Sequence, residues 1–108
     1  MDEGATQDAI RLALSDVPDL VIWRNNTGVA THRGQHVRYG LAPGSADLIG
    51  VLAGRFVALE VKTATGRVAV EQTQWLALVR RYGGFAAVVR SPEDALAAIA
   101  RARTGASE

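Results

Sequence analysis

The chain has 108 residues, 48% of them apolar and 21% charged, with a formal net charge of +1. That is the size and make-up of one globular domain around one core, and a charge so near zero excludes a polybasic nucleic-acid coat, so any basic surface must come from local clustering. The lack of cysteine excludes disulfides, thiolate catalysis and cysteine-ligated zinc, and suits a reducing cytoplasm. No apolar run approaches the roughly 20 residues of a membrane span, and the polar, acidic start "MDEGATQDA" lacks the form of a secretory signal.

In chain order, "DEGATQDAIRLALSDV" carries apolar residues at mostly helical spacing with acids at its start, and Pro18 marks its exit. "LVIWRNN" is β-branched and aromatic and predicts a strand. "TGVATHRGQHVRYGLAPGS" is rich in glycine and polar residues and predicts a long loop or a loose hairpin with "QHVRY" as a short arm. "ADLIGVLAG" and "RFVALEVKT" predict two strands joined by a turn at Ala53-Gly54. A helix is expected from near Ala69 to the stop at Gly83-Gly84, then a strand over "FAAVVRS". The final helix starts at Ser91 as N-cap, with Pro92 in the first turn. This order predicts an α/β fold, a mixed central sheet with helices on both faces, as one domain over residues 1–104 with a short flexible tail at 105–108. Trp23 and Trp75 are expected in the core, and Arg80, Arg81, Arg101 and Arg103 are expected to serve helix dipoles.

Inside the most apolar stretch, "ALEVKT" places Glu60 and Lys62 two apart, on one face of a strand whose other face holds Leu59 and Val61. Read alone, this is a surface ion pair of at most about 1 kcal/mol. Asp47 changes the reading. It opens the preceding strand, thirteen positions before Glu60, and a hairpin turning at Ala53-Gly54 returns Glu60 to its side. Two carboxylates held that close repel each other, and a divalent cation relieves the repulsion. A lysine beside them can orient or deprotonate a water, or hold a phosphate.

"GSADLIG" followed by "ALEVKT" resembles the PD-(D/E)xK nuclease motif, with Ala46-Asp47 for the Pro-Asp and Glu60-Val61-Lys62 for the E-x-K. With "WRNNTG", "RYGLAPGSADLIGVLAGRFVALEVKTATGR" and "EQTQWLALVRRYGGFAAVVRSPEDAL", nearly the whole chain resembles the VRR-NUC (virus-type replication-repair nuclease) family in its small stand-alone phage or bacterial form. The resemblance implies a restriction-endonuclease-like fold and metal-dependent hydrolysis of DNA phosphodiesters by water. It implies Asp47 and Glu60 as ligands of Mg²⁺ or Mn²⁺, the Val61 carbonyl as a further ligand, Lys62 as the catalytic lysine and Gln72, three residues before Trp75, as the supporting glutamine. Gln74 is the competitor, at the wrong spacing. Glu3 stands for the acid of the first helix, with Gln7 one turn later on the same face. The resemblance also implies a homodimer resolving Holliday junctions or other branched DNA, in the cytoplasm of a bacterial or phage-infected cell.

Arg24, Arg33, His36 and Arg38, with His32, precede Asp47 in a stretch where a phosphate backbone would be held, or where charge merely solubilises a loop. His32 and His36 have the spacing of a helical zinc site, but their glycine-rich setting is not helical. Rival readings remain. The same fold can serve as a non-catalytic DNA-binding or assembly module, as a nuclease for flaps or other replication intermediates, or as a small-molecule or RNA hydrolase with a similar metal site.

Overall fold

The computed structural model describes residues 1–108 as three helices and six strands. Helix α1 (Glu3–Leu14) is capped by Asp2, whose carboxylate accepts from the Ala5 amide at 2.7 Å, and it buries one stripe, Thr6, Ile10 and Leu14. Strand β1 (Leu20–Arg24) follows, then β2 (Gly28–His32) and β3 (Gln35–Tyr39). Strands β4 (Leu48–Leu52) and β5 (Arg55–Val61) form the expected hairpin, with Ala53 and Gly54 both in the left-handed region (φ 47° and 87°), as a two-residue primed turn requires. Helix α2 (Val70–Arg81), strand β6 (Phe85–Val89) and helix α3 (Pro92–Arg103, capped by Ser91) complete the chain.

The central sheet runs β1-β4-β5-β6. Its first three strands are antiparallel, and β6 joins β5 in parallel across the α2 crossover. Strand β5 is buried on both faces. Val57, Leu59 and Val61 point into one cluster with Ile10, Leu14 and Ile99, beneath α1 and α3. Ala58 points the other way, into a smaller cluster with Ala46 and Leu76 beneath α2. Glu60 shares the parity of Ala58 and so lies on the α2 side. The mixed sheet flanked by helices is the fold expected from the sequence.

The structure adds detail to several expectations and overturns one, the burial of Trp23. The segment before Asp47 takes the hairpin alternative, β2–β3, with Gln35–Tyr39 as the expected short arm. Trp75 is half-buried against the α2-side cluster, but Trp23 is 46% exposed. Trp23 pairs with Ile49 on the same side of the sheet, and α2 packs over β5 and β6, so the β1 end of that face stays open. The terminal residues fold back: Ser107 accepts from the Ala86 amide at 3.0 Å along the edge of β6, and Glu108 pairs with Arg80 at 3.2 Å. A free sheet edge invites pairing, and the tail covers part of it. Finally, the four arginines lie in the last turns of α2 and α3, as expected, and three of them also donate to backbone carbonyls. Arg80 donates to the Ala86 carbonyl, Arg101 to that of Glu108 and Arg103 to that of Pro18, while Arg81 lies over the Tyr82 ring.

Candidate active site

The β4–β5 register sets Leu48 opposite Leu59, so the next step sets Asp47 beside Glu60. Asp47 Oδ2 accepts from the Val61 amide at 2.9 Å, which ties the first carboxylate to the E-x-K backbone. A second tie comes from the residue that follows β1. The Asn25 amide donates to the Asp47 carbonyl at 2.8 Å, and Asn25 Nδ2 donates to Ser45 Oγ at 2.8 Å and to the Ala46 carbonyl at 2.9 Å. The loop leading into Asp47 also rests on the start of α2. Gly44 sits at φ 84°, and a Cβ there would lie 2.7 Å from the Glu71 carbonyl oxygen, so only glycine allows this approach.

Glu60 is 1% exposed. Its Oε2 accepts from Gln72 Nε2 at 3.0 Å. Gln72 Oε1 in turn accepts from the Ala69 amide at 2.8 Å, so one side chain both starts α2 and holds Glu60. Glu60 Oε1 is buried and has no partner. Burial first, and then Asp47 through its charge and as an acceptor for the protonated form, push the Glu60 carboxyl from the ordinary 4.5 up to about 8. Lys62 pulls in the opposite direction, and Glu3 adds a last small upward push.

Lys62 continues the β5–β6 ladder, its amide donating to the Val89 carbonyl at 3.1 Å. The side chain is half-buried and forms no ion pair with either carboxylate. A surface Glu60–Lys62 bridge is therefore not what this strand carries. The loop beyond Lys62 is pinned by Arg90, whose Nη1 donates to the Thr63 and Gly66 carbonyls, both at 2.7 Å.

These donors suit a hard divalent cation. They are oxygens, two are carboxylates, and a buried acceptor with no donor is a place where positive charge would be stabilised. Asp47 and Glu60 form a pair and not a three-acid cluster; Glu3 is exposed at the start of α1 and reaches Glu60 only as a distant charge. Gln7 is half-buried on the same helix. Gln72, not its competitor Gln74, touches the site, since Gln74 is exposed.

The four residues expected to hold nucleic acid are all exposed and spread out: Arg24 at the end of β1, Arg33 at the hairpin tip, and His36 and Arg38 along β3. His32 pairs with Gln35 and His36 with Thr31, so the two histidines occupy opposite faces of the hairpin. Sequence reasoning missed the supports Asn25, Gly44 and Arg90. Asn25 lies in "WRNNTG" at a strand end, but its partners are about twenty residues away and nothing in the local pattern marks them.

No curated protein matches the sequence closely enough to be counted a relative. The family model described as the VRR-NUC domain matches residues 5–93, a span that contains Asp47, Glu60, Lys62 and Gln72. Domains of this kind are nucleases and generally use divalent metal ions. The chain belongs to the VRR-NUC family of nuclease domains.

Proposed function

We propose that the protein is a divalent-metal-dependent endonuclease that hydrolyses phosphodiesters of branched DNA, with Asp47, Glu60, Lys62 and Gln72 as its working residues. The observation that carries this reading is the buried Glu60, with an unpartnered Oε1, beside an Asp47 tied to the Val61 amide. Asp47 and Glu60 would hold Mg²⁺ or Mn²⁺, with the Val61 carbonyl at hand as a neutral third oxygen. When bound, the cation supplies Lewis-acid charge at the phosphate and lowers the pKa of water. Gln72 fixes the Glu60 carboxylate in one orientation. Lys62, unpaired and half-buried, is placed to orient the attacking water or to take up its proton. Glu3 stands at the margin of the site as an outer acid.

A four-way junction needs two symmetric cuts and one site makes one cut, which favours a homodimer. The open sheet face supports pairing: Val21, Trp23, Val51 and Phe56 are exposed there on neighbouring strands. An apolar patch of this kind marks an interaction surface on so small a chain. No helix is long and apolar enough to cross a membrane, and the cytoplasm is the compartment proposed.

The test is cleavage of labelled four-way junction, flap, single-stranded and linear duplex DNA in Mg²⁺, in Mn²⁺ and in EDTA, with Lys62→Ala alongside. Paired symmetric cuts in the junction, lost in EDTA and in the variant, are expected. Cuts confined to flaps would retain the nuclease and remove the junction role. Binding without cutting under every condition would make the chain a non-catalytic module.

A further inference from the structure

The β2–β3 hairpin stands outside the core. Ten strand residues pair only with each other, and neither strand packs substantially against another element. An isolated two-stranded ribbon is marginal in water, so a hairpin kept in this state has a partner surface to meet. Its charge identifies that partner. From residue 20 to residue 46 the chain has no Asp or Glu but has Arg24, His32, Arg33, His36 and Arg38. None of these five side chains donates a hydrogen bond or forms an ion pair within the protein. Arg55, Arg80, Arg90, Arg101 and Arg103, by contrast, are all engaged with carbonyls or acids. Arg11, Lys62, Arg67 and Arg81 also lack such partners, but the hairpin and the strand before it are where unpaired basic residues are grouped with no acid among them.

Register sorts them. Opposed residues share a face, so Val29 with Arg38 and Thr31 with His36 make a polar, basic face. Gly28 with Tyr39 and Ala30 with Val37 make the other face apolar, the Tyr39 ring lying across Gly28, until His32 with Gln35 near the tip. The tip is Arg33-Gly34, with φ 52° and 78°, a primed turn whose first position favours asparagine or glycine. An arginine in the left-handed region is conformationally disfavoured there, which points to a use for its side chain. Both roots of the hairpin lead to the surroundings of the site: Asn25 bonds the Asp47 carbonyl and Ser45 on one side, and Gly44 rests on Glu71, the neighbour of Gln72, on the other.

We propose that the β2–β3 hairpin is a phosphate-gripping arm that lies along the DNA duplex flanking the cut, with Arg38 and His36 on its basic face and Arg33 at its tip. This rests on the nuclease reading of the adjacent site. Five residues of strand reach roughly 17 Å, which is about five base pairs of duplex at 3.4 Å each. The contacts are to the backbone, so they add affinity and register without choosing a base sequence.

The experiment uses the full chain and a labelled duplex long enough to run past the arm, with binding read by fluorescence anisotropy in EDTA over a range of salt. Arg33→Asn is the decisive variant, because Asn-Gly suits the primed turn better than Arg-Gly. It is expected to melt no lower than the wild type, to bind several-fold more weakly, and to lower the slope of log affinity against log salt by about 0.9. Arg33→Asn with Arg38→Ala should lower it by about twice that. In metal-dependent cutting, long-armed substrates should lose the advantage they hold over substrates with arms shorter than about five base pairs. An unchanged affinity and salt slope in a folded Arg33→Asn protein overturns the proposal, as does a loss of affinity that tracks dissociation of a dimer in sedimentation. Failure of the nuclease reading is a separate result: the wild type would then bind DNA with the full salt slope and cut nothing in Mg²⁺.

Discussion

Gln72 and Glu60 are joined by a hydrogen bond of 3.0 Å, and the other end of the Gln72 amide is held at 2.8 Å by the first turn of its own helix. The helix start and the site are therefore one unit. Gln72→Ala is expected to leave Glu60 Oε2 buried without a donor and to remove a cap. A loss of about 1–3 kcal/mol in urea unfolding should result. Metal affinity should fall by roughly 10–100-fold, since the carboxylate loses its orientation. Metal titration calorimetry on the same protein checks the second half.

Lys62 pairs with neither acid, so its removal leaves no buried partner stranded. Lys62→Ala should keep the wild-type melting temperature within a few degrees and still bind the metal. Cleavage should drop by about 10²–10⁴-fold, the usual share of positioned proton transfer. A variant that cuts at the wild-type rate would remove Lys62 from the mechanism.

The raised Glu60 pKa makes metal-free stability depend on pH with a defined sign. The folded value of about 8 exceeds the unfolded 4.5, so the folded protein holds this proton more tightly. The stabilisation is complete below about 4.5 and is lost as pH rises through about 8. Urea unfolding in EDTA should show stability falling across that window by up to about 1.4 kcal/mol per pH unit. Glu60→Gln should flatten the slope. Added Mg²⁺ should oppose it, because the cation needs the ionised carboxylate.

Asn25 supports the site from outside it. Its side chain bonds Ser45 and Ala46 just before Asp47. Asn25→Ala should lower stability by about 1–3 kcal/mol. It should also weaken metal binding while leaving the pH of half-maximal cleavage in place, since Asn25 holds backbone and carries no titrating proton. An unchanged metal affinity would reduce Asn25 to a loop clasp.

How much of this was legible beforehand differs from element to element. The β4–β5 hairpin was legible because strand parity, the Ala53-Gly54 turn and the thirteen-residue spacing all act locally. The β2–β3 hairpin was less so, since its turn is Arg-Gly and its alternation is weak, and Trp23 was misplaced because burial depends on where α2 lies over the sheet.

By itself the sequence determined the element order, the Ser91 cap, the pairing of Asp47 with Glu60 and the family resemblance. These depend on residues near one another in the chain or related by one turn. Only the tertiary structure decided that Glu60 is buried with one unpartnered oxygen, that Gln72 is what holds it, and that the basic residues stand on a free arm. Burial, desolvation and hydrogen bonding across tens of residues arise from how the layers pack, and no local pattern encodes them.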